Sequence, residues 1–134
     1  MLKQLALSIE DARKMAAAGR AEAQKNGWNV VIAIVDDGGH LMYLERADGT
    51  QKASSVIAQD KARTAIMFRR PSKAMEDVVA GGRIAVMALN GLTPIEGGLP
   101  IVVEGQFVGA IGVSGVQSHQ DAQVAKAGID ALGA

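Results

Sequence analysis

The chain has no cysteine, so disulfides, thiolate metal sites, iron–sulfur clusters and a cysteine nucleophile are excluded. Aromatic residues are nearly missing: one tryptophan, one tyrosine and two phenylalanines cannot build a stacking platform for single-stranded nucleic acid. Neither sign of charge is in excess, with 14 Lys+Arg against 14 Asp+Glu, which removes the basic stripe that a polyanion partner requires. No apolar run reaches the roughly 18 residues of a membrane-spanning helix. The opening Met1-Leu2-Lys3-Gln4-Leu5 lacks the apolar core and cleavage pattern of a signal peptide. The expectation is a cytoplasmic protein with no nucleic-acid and no membrane partner.

What the chain has in quantity is small side chains. Its 134 residues include 16 glycines and many alanines, a composition for close backbone approaches. The length suits one domain, residues 1–134. The core must come from Val, Ile, Leu, Met and Ala. With so little bulk per side chain, further burial in a homo-oligomer, a dimer or larger, is expected.

The pattern predicts a helix over 9–25, with Ser8 as N-cap, Asp11 at N3 and Asn26-Gly27 as the stop. Residues 29–36 are apolar at both parities, as in a strand covered on both faces. Asp37-Gly38-Gly39 signals a hairpin that returns over 40–46. A second helix is predicted over 53–69, stopped by Pro71, and a shorter one over 72–79 capped by Ser72 and ended by Gly81-Gly82. Residues 83–90 read equally as a helical turn or a short strand, and 91–98, with Pro94, as a loop. Strands over 100–104 and 107–113 are joined across Gly105-Gln106. Ser118, with Asp121 at N3, caps a last helix reaching about residue 132. This order excludes an all-parallel βαβ fold. It describes an α+β three-layer sandwich, an antiparallel sheet with helices on both faces.

One charged residue breaks the pattern. On the second helix Ile57, Ala58, Ala62, Ala65, Ile66 and Phe68 share an arc, and Lys61 projects from its middle with Thr64 at the edge. A buried ammonium needs an anion. Either Lys61 pairs with a structural carboxylate such as Asp48 or Glu96, or it faces a ligand. In the structural case, replacing Lys61 by Met is expected to cost little stability. The glycines from Gly109 to Gly115, ahead of a helix N-terminus, let either a ligand or another backbone approach. Glu96, just before Gly97-Gly98, reads as a base, a lysine partner or a plain loop charge. His40 and His119 have no partners at metal-ligand spacing, so no metal site is expected. A Ser–His–Asp set does not follow from the sequence, although Ser114 and His119 have room to meet.

Five strings carry a resemblance: Ile34-Val35-Asp36-Asp37-Gly38-Gly39-His40-Leu41; Arg46-Ala47-Asp48-Gly49; Lys61-Ala62-Arg63-Thr64-Ala65; Gly97-Gly98-Leu99-Pro100-Ile101; and Gly109-Ala110-Ile111-Gly112-Val113-Ser114-Gly115. In order and spacing they resemble the GlcG/HbpS family, which includes the C-terminal domain of PduO-type adenosyltransferases. The resemblance implies a profilin-like fold with about five antiparallel strands and assembly into dimers or rings. It also implies a small-molecule ligand, heme or a related corrinoid in several members. Where members carry an axial histidine near the first helix, this chain has none before Gly39; His40, Met15 and Met42 are its nearest alternatives. The shared strings gather Arg46, Asp48, Lys61, Thr64, Glu96, Gly97, Gly98 and Ser114 as ligand-binding candidates. Two functions follow. One is a binding module for heme or another anionic cyclic cofactor, with Lys61 and Arg46 on its carboxylates. The other is an enzyme on a small organic acid, with Glu96 or His119 moving a proton.

Overall fold

The first helix begins where its cap chemistry puts it. The Ser8 hydroxyl accepts the Asp11 N–H at 3.1 Å and the Asp11 carboxylate accepts the Ser8 N–H at 2.9 Å. A computed structural model describes residues 1–133. The elements are α1 (Ile9–Lys25), β1 (Val31–Asp36), β2 (Leu41–Arg46), α2 (Ser54–Met67), α3 (Ser72–Ala80), β3 (Gly98–Val103), β4 (Gln106–Ser114) and α4 (Ser118–Leu132). The sheet runs β2-β1-β4-β3, and every neighbouring pair is antiparallel. Among the described residues no helix is long and apolar enough to cross a membrane.

The sheet has four strands, fewer than the five the resemblance implied. Residues Ile84–Ala88 form a 3-10 turn, and the loop after them contains Gly91 and Gly97 at positive φ. Side chains take hydrogen bonds that a ladder would need: Thr64 Oγ1 donates to the Gly91 carbonyl and accepts the Thr93 N–H. Ser72, expected to cap α3, instead donates to the Ile95 carbonyl at 2.6 Å and accepts the Gly98 N–H at 2.9 Å. A loop tied down this way has no free backbone edge with which to pair.

β1 is buried on both faces, as its apolar run demands. Ile32, Ile34, Ile111 and Val113 meet Met15 of α1 and Val124 of α4 on one side. On the other side Val31, Ala33, Val35 and Ala110 meet the alanines of α2. That second layer lies very close. A Cβ at Gly112 would overlap the Ala58 carbonyl and stand 2.7 Å from the Ala62 nitrogen. One at Gly98 would overlap the Lys61 carbonyl.

The remaining ends differ from expectation in detail. α2 stops at Met67 without help from Pro71: the Arg70 N–H reaches the Ala65 carbonyl at 3.1 Å and the Arg69 N–H reaches Ile66 at 3.3 Å. This is a Schellman closure, with Arg69 in the left-handed region at φ 51°. The β3–β4 turn centres one residue earlier than expected, on Glu104 (φ 50°) and Gly105 (φ 76°). α4 is capped by Gln117 with Gln120, which frees Asp121 from the capping role assigned to it.

Gly112→Ala should cost about 3 kcal/mol or more, because backbone rather than a pliable side chain is in the way. Gly27→Ala, at φ 73° in open space, should cost only the left-handed conformation, about 1 kcal/mol. Urea denaturation of the two variants measures the difference. Equal losses would mean that α2 can move off the sheet.

Candidate functional site

Lys61 is buried, as the helical pattern required, but its partner is neither Asp48 nor Glu96. Its ammonium donates to Asp121 Oδ2 at 3.1 Å and to the Val113 carbonyl at 3.0 Å. Both side chains are almost fully enclosed, at 3% and 2% exposure. The pair joins α2, on one face of the sheet, to α4, on the other, around the end of β4. Asp121 stands in the first turn of α4, where the helix dipole favours a carboxylate, and its Oδ1 accepts the Val116 N–H at 3.2 Å. Gly97 lies over the pair: a Cβ there would fall 2.8 Å from the Lys61 nitrogen and 2.7 Å from the Val113 oxygen. Burial pushes the Asp121 carboxyl above the ordinary carboxylate range, and the Lys61 ammonium and the Val116 N–H offset this only in part.

The other interior candidates collect around this pair and are similarly occupied. Thr64 holds the loop at Gly91 and Thr93. Ser114 shares a 3.0 Å hydrogen bond with Ser54, both buried. Gly97 and Gly98 supply the clearance described above. Among the described residues no buried side-chain polar atom lacks a partner.

The remaining candidates stand apart from that cluster. Arg46 and Asp48 are exposed at the end of β2 and just beyond it. Arg46 is across Val31 from Ser114, two strands away. Asp48 lines a cleft of about 280 Å³ with Trp28 and with Arg20, whose guanidinium forks onto Glu45 through two 2.7 Å bonds. Glu96 is half-exposed; its N–H donates to Glu76, whose carboxyl is held below its ordinary range mainly by Lys73. His40 and His119 are exposed, and no group of three metal-ligating side chains occurs among the described residues.

Sequence reasoning missed Asp121 because Ser118 three residues earlier offered a ready capping explanation. The signal was available: Asp121 shares the buried arc of Val124, Ala125 and Gly128, the same anomaly that singled out Lys61.

Lys61→Met should destabilise the protein by about 3–5 kcal/mol, because it strands a buried carboxylate. That replaces the small cost expected from sequence. The double variant Lys61→Met/Asp121→Leu should recover most of the loss in urea denaturation, and a double variant no better than the single would disprove the pairing. The raised Asp121 carboxyl means that the native state holds this proton more tightly than the unfolded chain. Its contribution is fullest below the ordinary carboxylate value and is lost as pH rises through the raised one. As pH rises above the ordinary carboxylate value of about 4, stability should therefore fall less steeply in Asp121→Asn than in the parent.

Residues 7–130 match the model of a family described as haem degrading, HbpS-like proteins. Protein GlcG of Escherichia coli K12 is 49% identical over 114 residues, 85% of each chain. A crystal structure of a double mutant of Streptomyces reticuli HbpS superposes with a TM-score of 0.91 at 31% identity, covering 100% of this chain and 92% of that one. The PduOC:heme complex superposes with a TM-score of 0.86 at 29% identity, covering 95% of each chain. With the family match over residues 7–130 and superpositions over nearly the whole chain in agreement, the chain belongs to the HbpS-like family.

Proposed function

We propose that this chain is a small-ligand-binding protein of the HbpS-like family, that its ligand is heme or a related tetrapyrrole, and that residues 1–134 act as one domain in a cytoplasmic homo-oligomer. The observation that carries the reading is the likeness, over 95% of both chains, to a relative whose structure is a heme complex. Heme supplies visible absorption and an iron centre when bound; everything else comes from the chain's own surface.

The residues fit a surface site better than an enclosed one. The clefts of a single copy, about 260 to 360 Å³, lie near the lower bound of about 300 Å³ for small-molecule pockets. Met15 is fully buried, so it has no route to an iron. His40 is exposed at the β1–β2 turn, beside Leu41 at 49% exposure. The turn itself packs on α2, where a Cβ at Gly39 would meet Arg63 Cγ at 3.0 Å and Met67 Sδ at 3.7 Å. An imidazole, apolar side chains and a guanidinium thus border one surface. In this reading His40 would hold the iron, and Arg63, paired with Asp60 at 2.9 Å on the half-exposed face of α2, would meet the carboxylates.

The catalytic alternative needs Lys61 free to hold an organic acid. Its ammonium is already bonded to Asp121 and Val113, so a substrate carboxylate must first break that pair.

Hemin titration should give a saturable Soret shift at one equivalent. His40→Ala should weaken or abolish it, and His119→Ala should leave it intact. A featureless, non-saturating titration overturns the proposal. For assembly, Ile84 (69% exposed), Met87 (60%), Leu89 (47%) and Ile95 (43%) present an apolar surface around the 3-10 turn. Sedimentation at micromolar concentration should show a species of at least two chains; a single one-chain species removes the oligomer from the proposal.

A further inference from the structure

The end of the sheet remote from the Lys61 pair carries a second feature. The start of the chain, the β1–β2 turn, the end of α2 and the β3–β4 turn enclose a cleft of about 360 Å³. Its wall includes Lys3, Leu5, Asp37, Ile66, Arg69 and Phe107. The Leu5 N–H donates to Gln106 Oε1 at 2.8 Å, holding the N-terminal segment across one side.

Arg69 is the unusual member. It occupies the left-handed position of the Schellman closure of α2, at φ 51°, where glycine is the unstrained choice. That backbone aims its side chain back over β4, with the guanidinium 5.4 Å from the centre of the Phe107 ring. Among the described residues it has no carboxylate within ion-pair distance, unlike Arg13, Arg20 and Arg63. Lys3 has none either, while Asp37 is the one acid on the wall, so the lining carries one surplus positive charge. Ile66, buried, and Phe107, half-buried, give the cleft an apolar floor. A strained, unpaired guanidinium over an aromatic ring is poorly explained by stability alone.

We propose that this cleft binds a small organic monocarboxylate, its oxygens on the Arg69 fork with Lys3 adding charge and its apolar body on Ile66 and Phe107. The planar guanidinium, already held on one face by the ring, keeps its N–H edges free for a two-pronged carboxylate bond. The site goes beyond the tetrapyrrole reading and does not rest on it.

Benzoate titrated into the heme-free, nitrogen-15-labelled full chain should give saturable shifts confined to residues 2–5, Asp37, Ile66, Arg69 and 105–107. Affinity should fall at least tenfold in Arg69→Gly. The urea midpoint of that variant should hold or rise, since glycine is relaxed at this backbone position. Arg69→Gln, which keeps the length of the side chain, should also lose binding and stands in if the glycine variant folds poorly. Inorganic phosphate should bind more weakly than benzoate, and benzyl alcohol should not saturate the site. Shifts that stay linear in benzoate, phosphate binding equal to benzoate, or unchanged affinity in both Arg69 variants would each overturn the proposal.

Discussion

An ammonium and a carboxylate, each almost sealed from water, fasten the two helical layers of this protein to one another around the end of the sheet. Lys61 comes from α2 and Asp121 from α4, and the Val113 carbonyl of β4 completes the lysine's coordination. Such a pair adds little net stability, because taking each ion out of water costs several kcal/mol and their attraction roughly returns it. Its force lies in what it forbids. A slip of α2 along the sheet, or a shift of α4 by one turn, leaves two uncompensated buried charges. The alanine surfaces of the α2 layer contain few bulky side chains to set register by shape, so the charges take over that duty.

The same close packing of the layers requires several of the glycines. The Lys61 ammonium runs directly beneath Gly97, which sits at φ 134° and has no room for a Cβ. Gly98 and Gly112 let the α2 backbone touch the strands, and on the other face Gly128 lets α4 approach α1, where a Cβ would stand 3.0 Å from the Met15 carbonyl. Close layers leave no space for large rings. The scarcity of aromatics and the glycines between the layers are therefore one fact, seen from two sides.

Local chemistry was legible in the sequence, and long-range chemistry was legible only by halves. The Ser8–Asp11 box and the doubly buried β1 follow from residues close to one another in the chain, and the structure has both. Lys61 was identifiable as buried and in need of an anion, because helical periodicity is a local signal. Its partner was not identifiable, because sixty positions separate the two and any acid was eligible. Residues 91–97 were legible as a loop, but what holds that loop was not, for a related reason. It is tied by Thr64 and Ser72, hydroxyls on two helices that read from sequence as an edge residue and a cap. Arg69 at a glycine-favoured position was hidden because Pro71 gave a sufficient reason for the helix to stop.

Half of the polar residues that resembled a site thus belong to the scaffold, and this bears on where ligand chemistry can reside. Lys61, Thr64 and Ser114 are enclosed and bonded to protein partners, so a ligand that used them would have to dismantle the contacts that define the fold. Residues free of that duty stand at the turns: His40 and Asp37 after β1, Asp48 after β2, Arg69 after α2. Changing one of these leaves the ion pair and the glycine clearances untouched. A fold built this way can keep its interior fixed while its turns take up different ligands, so function in this protein is to be sought at the rims of the sheet rather than at its most conspicuous buried lysine.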